Sequence, residues 1–231
     1  MGDIFFHGIP LENIAGARIT EITVSPIKWT AVARERPVRA GADFVRMVGG
    51  TRTVTATFVL LEKDMETRQS QLLAINAWLK TDAPQRLVLP GHPGRYLMAA
   101  CTEFPEPQIR EWWQEARVTW TCYDPYWVSM TERSEDCGTQ FKAVGSAPPR
   151  MWITDTLSAS GNRAYSDGTD TLTFNALPAG DLVIDLERQT AQVGNNSVME
   201  KMTFASTWPI PKTGVSTITG TGTVHWQERW V

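Results

Sequence analysis

Cysteine and histidine are scarce in this chain, and so is any surplus of charge. Three cysteines in 231 residues, Cys101, Cys122 and Cys137, are too few and too scattered for a disulfide framework or a Cys-x-x-Cys metal site. They fit folding in a reducing cytosol. The histidines, His7, His92 and His225, lie far apart and show neither His-x-x-x-His nor His-Glu-x-x-His spacing, so no zinc motif is present. Lys and Arg number 22 against 25 Asp and Glu, a net charge of −3. That lacks the basic excess of a dedicated nucleic-acid binder. No apolar run approaches the roughly 20 residues of a membrane span, and the first residues carry no basic n-region or long apolar stretch, so no membrane partner and no secretory signal are expected. Gly-Lys-Ser/Thr does not follow Gly49-Gly50, and no Gly-x-Ser-x-Gly occurs. The expectation is a chain with no cofactor, no metal site and no catalytic set.

What is present is strand patterning. From Thr51 to Leu61, Val54, Ala56, Phe58 and Leu60 alternate with threonines, the signature of a half-buried strand. Val45 to Val48 are expected to form its hairpin partner across Gly49-Gly50, with the glycines supplying positive φ. About Met65 to Lys80 the spacing turns helical: Leu72, Ile75, Trp78 and Leu79 make the apolar side, and Glu66, Arg68, Gln69 and Gln71 the polar side. Asp64 is the expected N-cap, and the stretch to Pro84 ends the helix. Strands resume at Arg86–Leu89 and Tyr96–Ala99, then at Val118, Trp120 and Cys122, where Pro125 is expected to stop the ladder. From Ser129 to Gly145 the pattern dissolves into polar residues, as in a domain connection or an irregular first strand.

The second half holds no convincing helix. Short strand candidates at 151–154, 171–174, 182–186, 190–193, 216–219 and 223–226 are separated by turn-forming Gly, Asn and Pro clusters, which suggests an all-β sandwich. The acids Glu103 and Glu106, and Asp167 and Asp170, read as solvated loop residues rather than a hydrolytic pair. His92 reads as solvated, and His225 as exposed or as part of an interface.

Two features stand out. Ten tryptophans are many for this length, and Trp112-Trp113 lie in a polar stretch, as candidate partner-binding residues. The connection 33–46 is long against typical loops of about 4–6 residues. Its Arg34, Arg36, Arg39, Phe44 and Arg46 suit an arm that reaches a neighbouring subunit, with the arginines meeting carboxylates.

The order of parts resembles the distal tail protein (Dit) family of long, flexible-tailed phages. The likeness rests on the hairpin ending Thr57-Phe58-Val59-Leu60, the helix ending Ile75-Asn76-Ala77-Trp78-Leu79, and the strand closing on Tyr123-Asp124-Pro125-Tyr126-Trp127. In the second half it rests on Pro178-Ala179-Gly180-Asp181-Leu182-Val183-Ile184-Asp185 and on the run from Trp208 to Ile218. The resemblance implies a mainly β fold: an N-terminal ring-forming β-sandwich with one flanking helix (1–130) and a C-terminal galectin-like β-sandwich (131–231). It implies six copies in a ring at the distal end of the phage tail, assembled in the host cytoplasm. The ring would join the tail-tube protein to the tail-fibre or tail-lysin protein, with the tape-measure and receptor-binding proteins as further partners, while DNA passes through the lumen without specific binding. No catalysis is implied. The alternative is a carbohydrate-binding two-sandwich protein using Trp112, Trp113 or Trp226 as stacking platforms. A hydrolase with a cleft between domains ranks below both, because no acid/base constellation can be named.

Overall fold

The computed structural model describes residues 3–15, 17–35, 42–62, 64–103, 108–109 and 114–231. The chain is mainly β and divides into two compact units, Met1–Trp127 and Val128–Val231.

The first unit opens with β1 (Phe5–Phe6), β2 (Ile9–Pro10) and a single helical turn, α1 (Glu12–Ala15). It continues with β3 (Arg18–Val24), β4 (Trp29–Glu35), β5 (Ala42–Gly49) and β6 (Arg52–Leu60). The helix α2 (Met65–Leu79) follows, then β7 (Gln85–Val88), β8 (Arg95–Glu103), β9 (Gln108–Ile109) and β10 (Gln114–Asp136), whose residues from Val128 onward belong to the second unit. Strand order in this unit's main sheet is β2-β1-β7-β8-β10, with β6 also paired to β10 and β3 to β6. Alternation sets the buried face as expected: Val54, Ala56, Phe58 and Leu60 of β6 are sealed, as are Val118, Trp120 and Cys122 of β10. Antiparallel register places Ala56 opposite Val118 and Val54 opposite Trp120.

Helix α2 lies on this core. The Asp64 carboxylate accepts the Thr67 N–H at 2.8 Å, satisfying a first-turn donor with no intrahelical partner. Leu72, Ile75, Trp78 and Leu79 are buried. Trp78 meets Trp120 edge-on (centroids 6.4 Å apart, planes at 86°) and Phe6 likewise at 5.7 Å. Trp78 Nε1 donates to the Ile9 carbonyl at 3.2 Å, fastening the helix to the N-terminal hairpin.

The second unit contains β11 (Gln140–Ala143), β12 (Ala147–Leu157), β13 (Gly161–Ser166), β14 (Thr171–Leu177) and β15 (Gly180–Asp185). It ends with β16 (Thr190–Val193), β17 (Asn196–Ser197), a 3₁₀ turn at Met199–Lys201, β18 (Gly214–Thr217) and β19 (Thr223–Trp230). Its large sheet runs β17-β16-β15-β12-β19-β10, and β11-β18 and β13-β14 form two-stranded pairs. Met151, Ile153, Leu182, Ile184, Val224 and Trp226 from the large sheet share one core with Phe141, Tyr165, Leu172 and Phe174 from those pairs and with Ile218, just after β18.

Several expectations need correction. β5 does not pair with β6; it pairs with β4, from Trp29 opposite Gly49 to Glu35 opposite Ala42. Gly49 and Gly50 are not in the positive-φ region. Gly50 serves close approach instead: its N–H donates to the Lys28 carbonyl at 2.8 Å, and a Cβ would stand 2.9 Å from that oxygen. Pro125 does not end β10, because the ladder with β6 has already closed at Cys122 opposite Arg52, so the missing N–H costs that ladder nothing. Of the two readings of the polar stretch after Ser129, the strand is the one found: it continues β10, with Met130–Asp136 exposed and therefore free of apolar patterning. Arg68 is buried rather than on the solvent side of α2. Strand β13 lay hidden between two turn-like clusters.

Candidate interaction surface

The long arginine-bearing connection is largely strand. β4 and β5 form an antiparallel hairpin that pairs with no other described strand. In β5 the register shifts at Val45, so Phe44 and Met47, opposite Ala33 and Ala31, share one face, while Arg46 and Val48, opposite Val32 and Thr30, share the other. Both faces are open: Phe44 is 66% exposed and Val45 55%, and Trp29, Val32, Met47 and Val48 are also exposed. An isolated two-stranded hairpin is marginally stable in water, and a run of exposed apolar side chains marks an interaction site. Arg34 is exposed opposite Asp43, and Arg46 is exposed opposite Val32. Arg34, Phe44 and Arg46 thus share this hairpin. Arg36 and Arg39 lie outside the described residues, as do Trp112 and Trp113.

Trp226 is not a stacking platform. It is buried, with its ring stacked on Phe141 at 4.6 Å. His225 is neither exposed nor idle. Its ring lies parallel to Trp152 at 5.5 Å, its Nε2 shares a hydrogen bond with Thr154 Oγ1 at 2.9 Å, and its Nδ1 faces Glu132 Oε1 at 3.0 Å. Hydroxyl, imidazole and carboxylate in that order are the elements of nucleophilic activation. Here they stand in mid-sheet, where Thr154 has ladder neighbours on both sides, Val183 and Thr223. The backbone amides are committed to those ladders rather than aimed at a developing oxyanion. The array ties β10, β12 and β19 together.

Cysteine chemistry is suppressed. Burial pushes the Cys122 thiol up to about 12 and the Cys137 thiol to about 11, the latter with help from Asp155 and Asp136; such thiols are poor nucleophiles at neutral pH. Asp167 is not simply solvated. Its Oδ1 accepts the N–H groups of Thr169 and Asp170, and its Oδ2 meets Lys212 Nζ at 3.5 Å. Burial alone would raise its pKa, but these amides and the lysine pull it below the ordinary value. Among the described residues no group of three or more His, Cys, Asp or Glu is placed to hold a metal ion, and no helix is long and apolar enough to cross a membrane.

Sequence reasoning missed one surface feature. Phe204 protrudes fully into solvent from the segment before Trp208; a single aromatic in an irregular stretch carries no periodic signal.

No family model and no curated protein match the chain by sequence. Its fold is nevertheless similar to solved structures. The Dit protein (gp 19.1) of phage SPP1, a paradigm of the hub adsorption apparatus in phages infecting Gram-positive bacteria, superposes with a TM-score of 0.76 at 15% identity, covering 99% of both chains. The phage p2 baseplate in its activated conformation with strontium matches with a TM-score of 0.54 at 8% identity, over 95% of this chain and 92% of that one. The same baseplate with calcium gives 0.54 at 9% identity with the same coverage. The fold is therefore similar to that of the SPP1 protein over the length of both units.

Proposed function

We propose that this chain is a structural hub protein of a phage tail. The supporting observation is the correspondence with the SPP1 hub protein across 99% of both chains; a match confined to one sandwich would carry far less, because sandwiches serve many unrelated functions. In this reading the N-terminal unit, set at residues 1–130 by sequence, assembles with copies of itself into a six-membered ring at the distal end of the tail tube. The C-terminal unit, from 131 on, is a galectin-like sandwich. The ring joins the tube to the tail-fibre or tail-lysin protein and carries the receptor-binding apparatus, without catalysis of its own. Its place is the virion tail.

The β4–β5 hairpin supports the self-assembly half of this reading. Its apolar residues have no cover within the described chain, and Arg34 and Arg46 can meet carboxylates of a neighbour. A net charge of −3 suits a lumen that passes DNA without gripping it, since neutralising phosphates drives strong binding. Light scattering coupled to size exclusion, followed by negative-stain imaging, tests the reading. Six-fold rings of about six chain masses are expected, alone or on addition of the tube protein. A species that stays monomeric under both conditions removes it.

A further inference from the structure

Strand β18 has one free edge, and a cleft runs along it. Alternate residues of a strand turn their N–H and C=O groups to opposite edges. Gly214 and Ser216 stand opposite Ala143 and Phe141 of β11, and Ile218, next in that alternation, accepts the Gly138 N–H at 2.7 Å on the same side. Thr219 faces the other way: its N–H donates to the Ser166 carbonyl at 2.8 Å, and its carbonyl accepts the Ser166 N–H at 3.1 Å. Val215 and Thr217 alternate in step with Thr219, so their N–H and C=O groups also point away from β11. Among the described strands β18 pairs with β11 alone. Neither Val215 nor Thr217 has a backbone partner on the outer edge among the described residues. Two donors and two acceptors stand open in a row.

β13 is placed to cover this edge and leaves it. In the antiparallel register set by Ser166 and Thr219, Gly168 falls opposite Thr217. The chain turns away before it gets there. The Asp167 N–H donates to the Asp170 carbonyl at 3.2 Å, Asp167 Oδ1 accepts the Thr169 and Asp170 N–H groups, and Gly168 takes φ +89. What remains is a cleft of about 300 Å³ beside Val215 and Thr217. Buried Met151 and Ile218 lie at its core side, and Ile210, Pro211 and Lys212 form the wall, with Lys212 held to Asp167 at 3.5 Å. Pro209 and Pro211 carry no N–H, so that wall offers no continuous row of donors to zip onto β18. Polar and apolar surface together suit a peptide, whose backbone needs the one and whose side chain needs the other.

We propose that this cleft takes an extended segment of another polypeptide, which adds to β18 as a further strand. Main-chain hydrogen bonds to Val215 and Thr217 hold the segment, and its one inward side chain, small or aliphatic, rests over Met151 and Ile218 and sets specificity. The segment has no proline where it bonds the edge. The ligand class follows from the edge itself, because donors and acceptors that recur at every second residue of a strand match another extended backbone. The occupant is a lone segment and not the edge of a second copy's sheet. The wall at Ile210–Lys212 stands beyond the cleft, where the next strand of such a sheet would lie, and β18 of a second copy would bring its own wall into the same space. The inference is independent of how the N-terminal units associate.

The test pans the full chain against a ribosome-displayed library of random peptides about ten residues long, and the enriched peptides are then synthesised. On binding, amide hydrogen exchange at Val215 and Thr217 should slow at least tenfold, while Ser216, already turned to β11, changes less. N-methylating alternate residues of a bound peptide keeps its side chains and removes its donors. One of the two methylation patterns should lower affinity at least tenfold and the other should spare it, as the alternation of a strand requires. Thr217→Pro takes an N–H from the open edge and none from the β11 ladder, so it should lose peptide binding at least tenfold and melt within a few degrees of wild type. If that variant fails to fold, the methylated peptides decide the matter on the wild-type chain. No enriched peptide, protection at other residues only, or equal effects of the two methylation patterns overturn strand addition. Enriched peptides that match segments of this chain assign the cleft to a second copy and overturn the choice of partner.

Discussion

Asp155 Oδ2 lies 2.8 Å from Arg163 Nε, forming an ion pair whose carboxylate side chain is only 9% exposed. The same oxygen accepts the Tyr165 hydroxyl at 3.1 Å and the Thr221 hydroxyl at 2.6 Å. One carboxylate thus joins β12, β13 and the turn before β19. Burial by itself would raise its pKa; the hydrogen bonds from Thr221, Arg163 and Tyr165, with the arginine's charge, outweigh burial and hold it below the ordinary aspartate value. Burial also pushes the Tyr165 hydroxyl pKa upward, keeping it a proton donor at any physiological pH.

Asp155→Asn should therefore destabilise the C-terminal unit at pH 7 by about 1.5–3 kcal/mol, the usual scale for hydrogen bonds to a charged group. The sign of the pH dependence follows from the depressed pKa. The stabilisation is present above the unfolded-state value and disappears as pH falls through the folded-state value. Wild type should lose stability below about pH 5, and the variant should lose less of it. Denaturant melts at pH 7 and pH 3.5 check this; equal acid sensitivity in the two proteins would remove Asp155 as the source.

Gly222→Ala should be among the most damaging single changes in the second unit. Gly222 has φ +83, and an added Cβ would stand 2.8 Å from the Asp155 Cβ and closer still to the Thr154 carbonyl. The backbone conformation alone costs a non-glycine residue about 1–3 kcal/mol. A clear fall in melting temperature is expected, and a melt within a degree of wild type contradicts the packing described.

The aromatic core of the first unit makes a paired prediction. Trp120 is sealed, and its Nε1 finds no hydrogen-bond partner among the described residues, whereas Trp78 Nε1 bonds the Ile9 carbonyl. Trp120→Phe removes volume but no hydrogen bond, while Trp78→Phe orphans a carbonyl. Either tryptophan to alanine should cost about 3–5 kcal/mol, and Trp78→Phe should exceed Trp120→Phe by about 1 kcal/mol. Equilibrium unfolding of the four variants decides it.

Phe44→Ser with Met47→Ser should abolish self-association while leaving the thermal melt within a few degrees of wild type, since both side chains are exposed in the single chain. Sedimentation velocity reads the first effect and calorimetry the second. Retained rings would shift the interface away from the hairpin.

Much of the fold is legible from period alone. Alternation from Val54 to Leu60 and the spacing of Leu72, Ile75 and Leu79 each name an element and its buried face, because side-chain direction follows directly from backbone repeat. The candidate site is legible only in part. Arg34, Phe44 and Arg46 draw attention as an over-long connection, yet that stretch is mostly hairpin, since strands open on both faces need no alternation to mark them.

Residue order was enough to establish a chain of strands punctuated by glycine and proline, one capped helix, no metal motif and no charge surplus, since each of these depends on neighbours within a few positions. Which strands pair was decided elsewhere: β5 turns to β4 rather than β6, and β10 runs through Pro125, because ladder hydrogen bonds join residues far apart in sequence and depend on which donors remain unclaimed. The same holds for the three donors meeting at Asp155, the imidazole bridge at His225, and the solitary exposure of Phe204. Each arises where distant segments are brought together, or kept apart, by the packing of the whole unit.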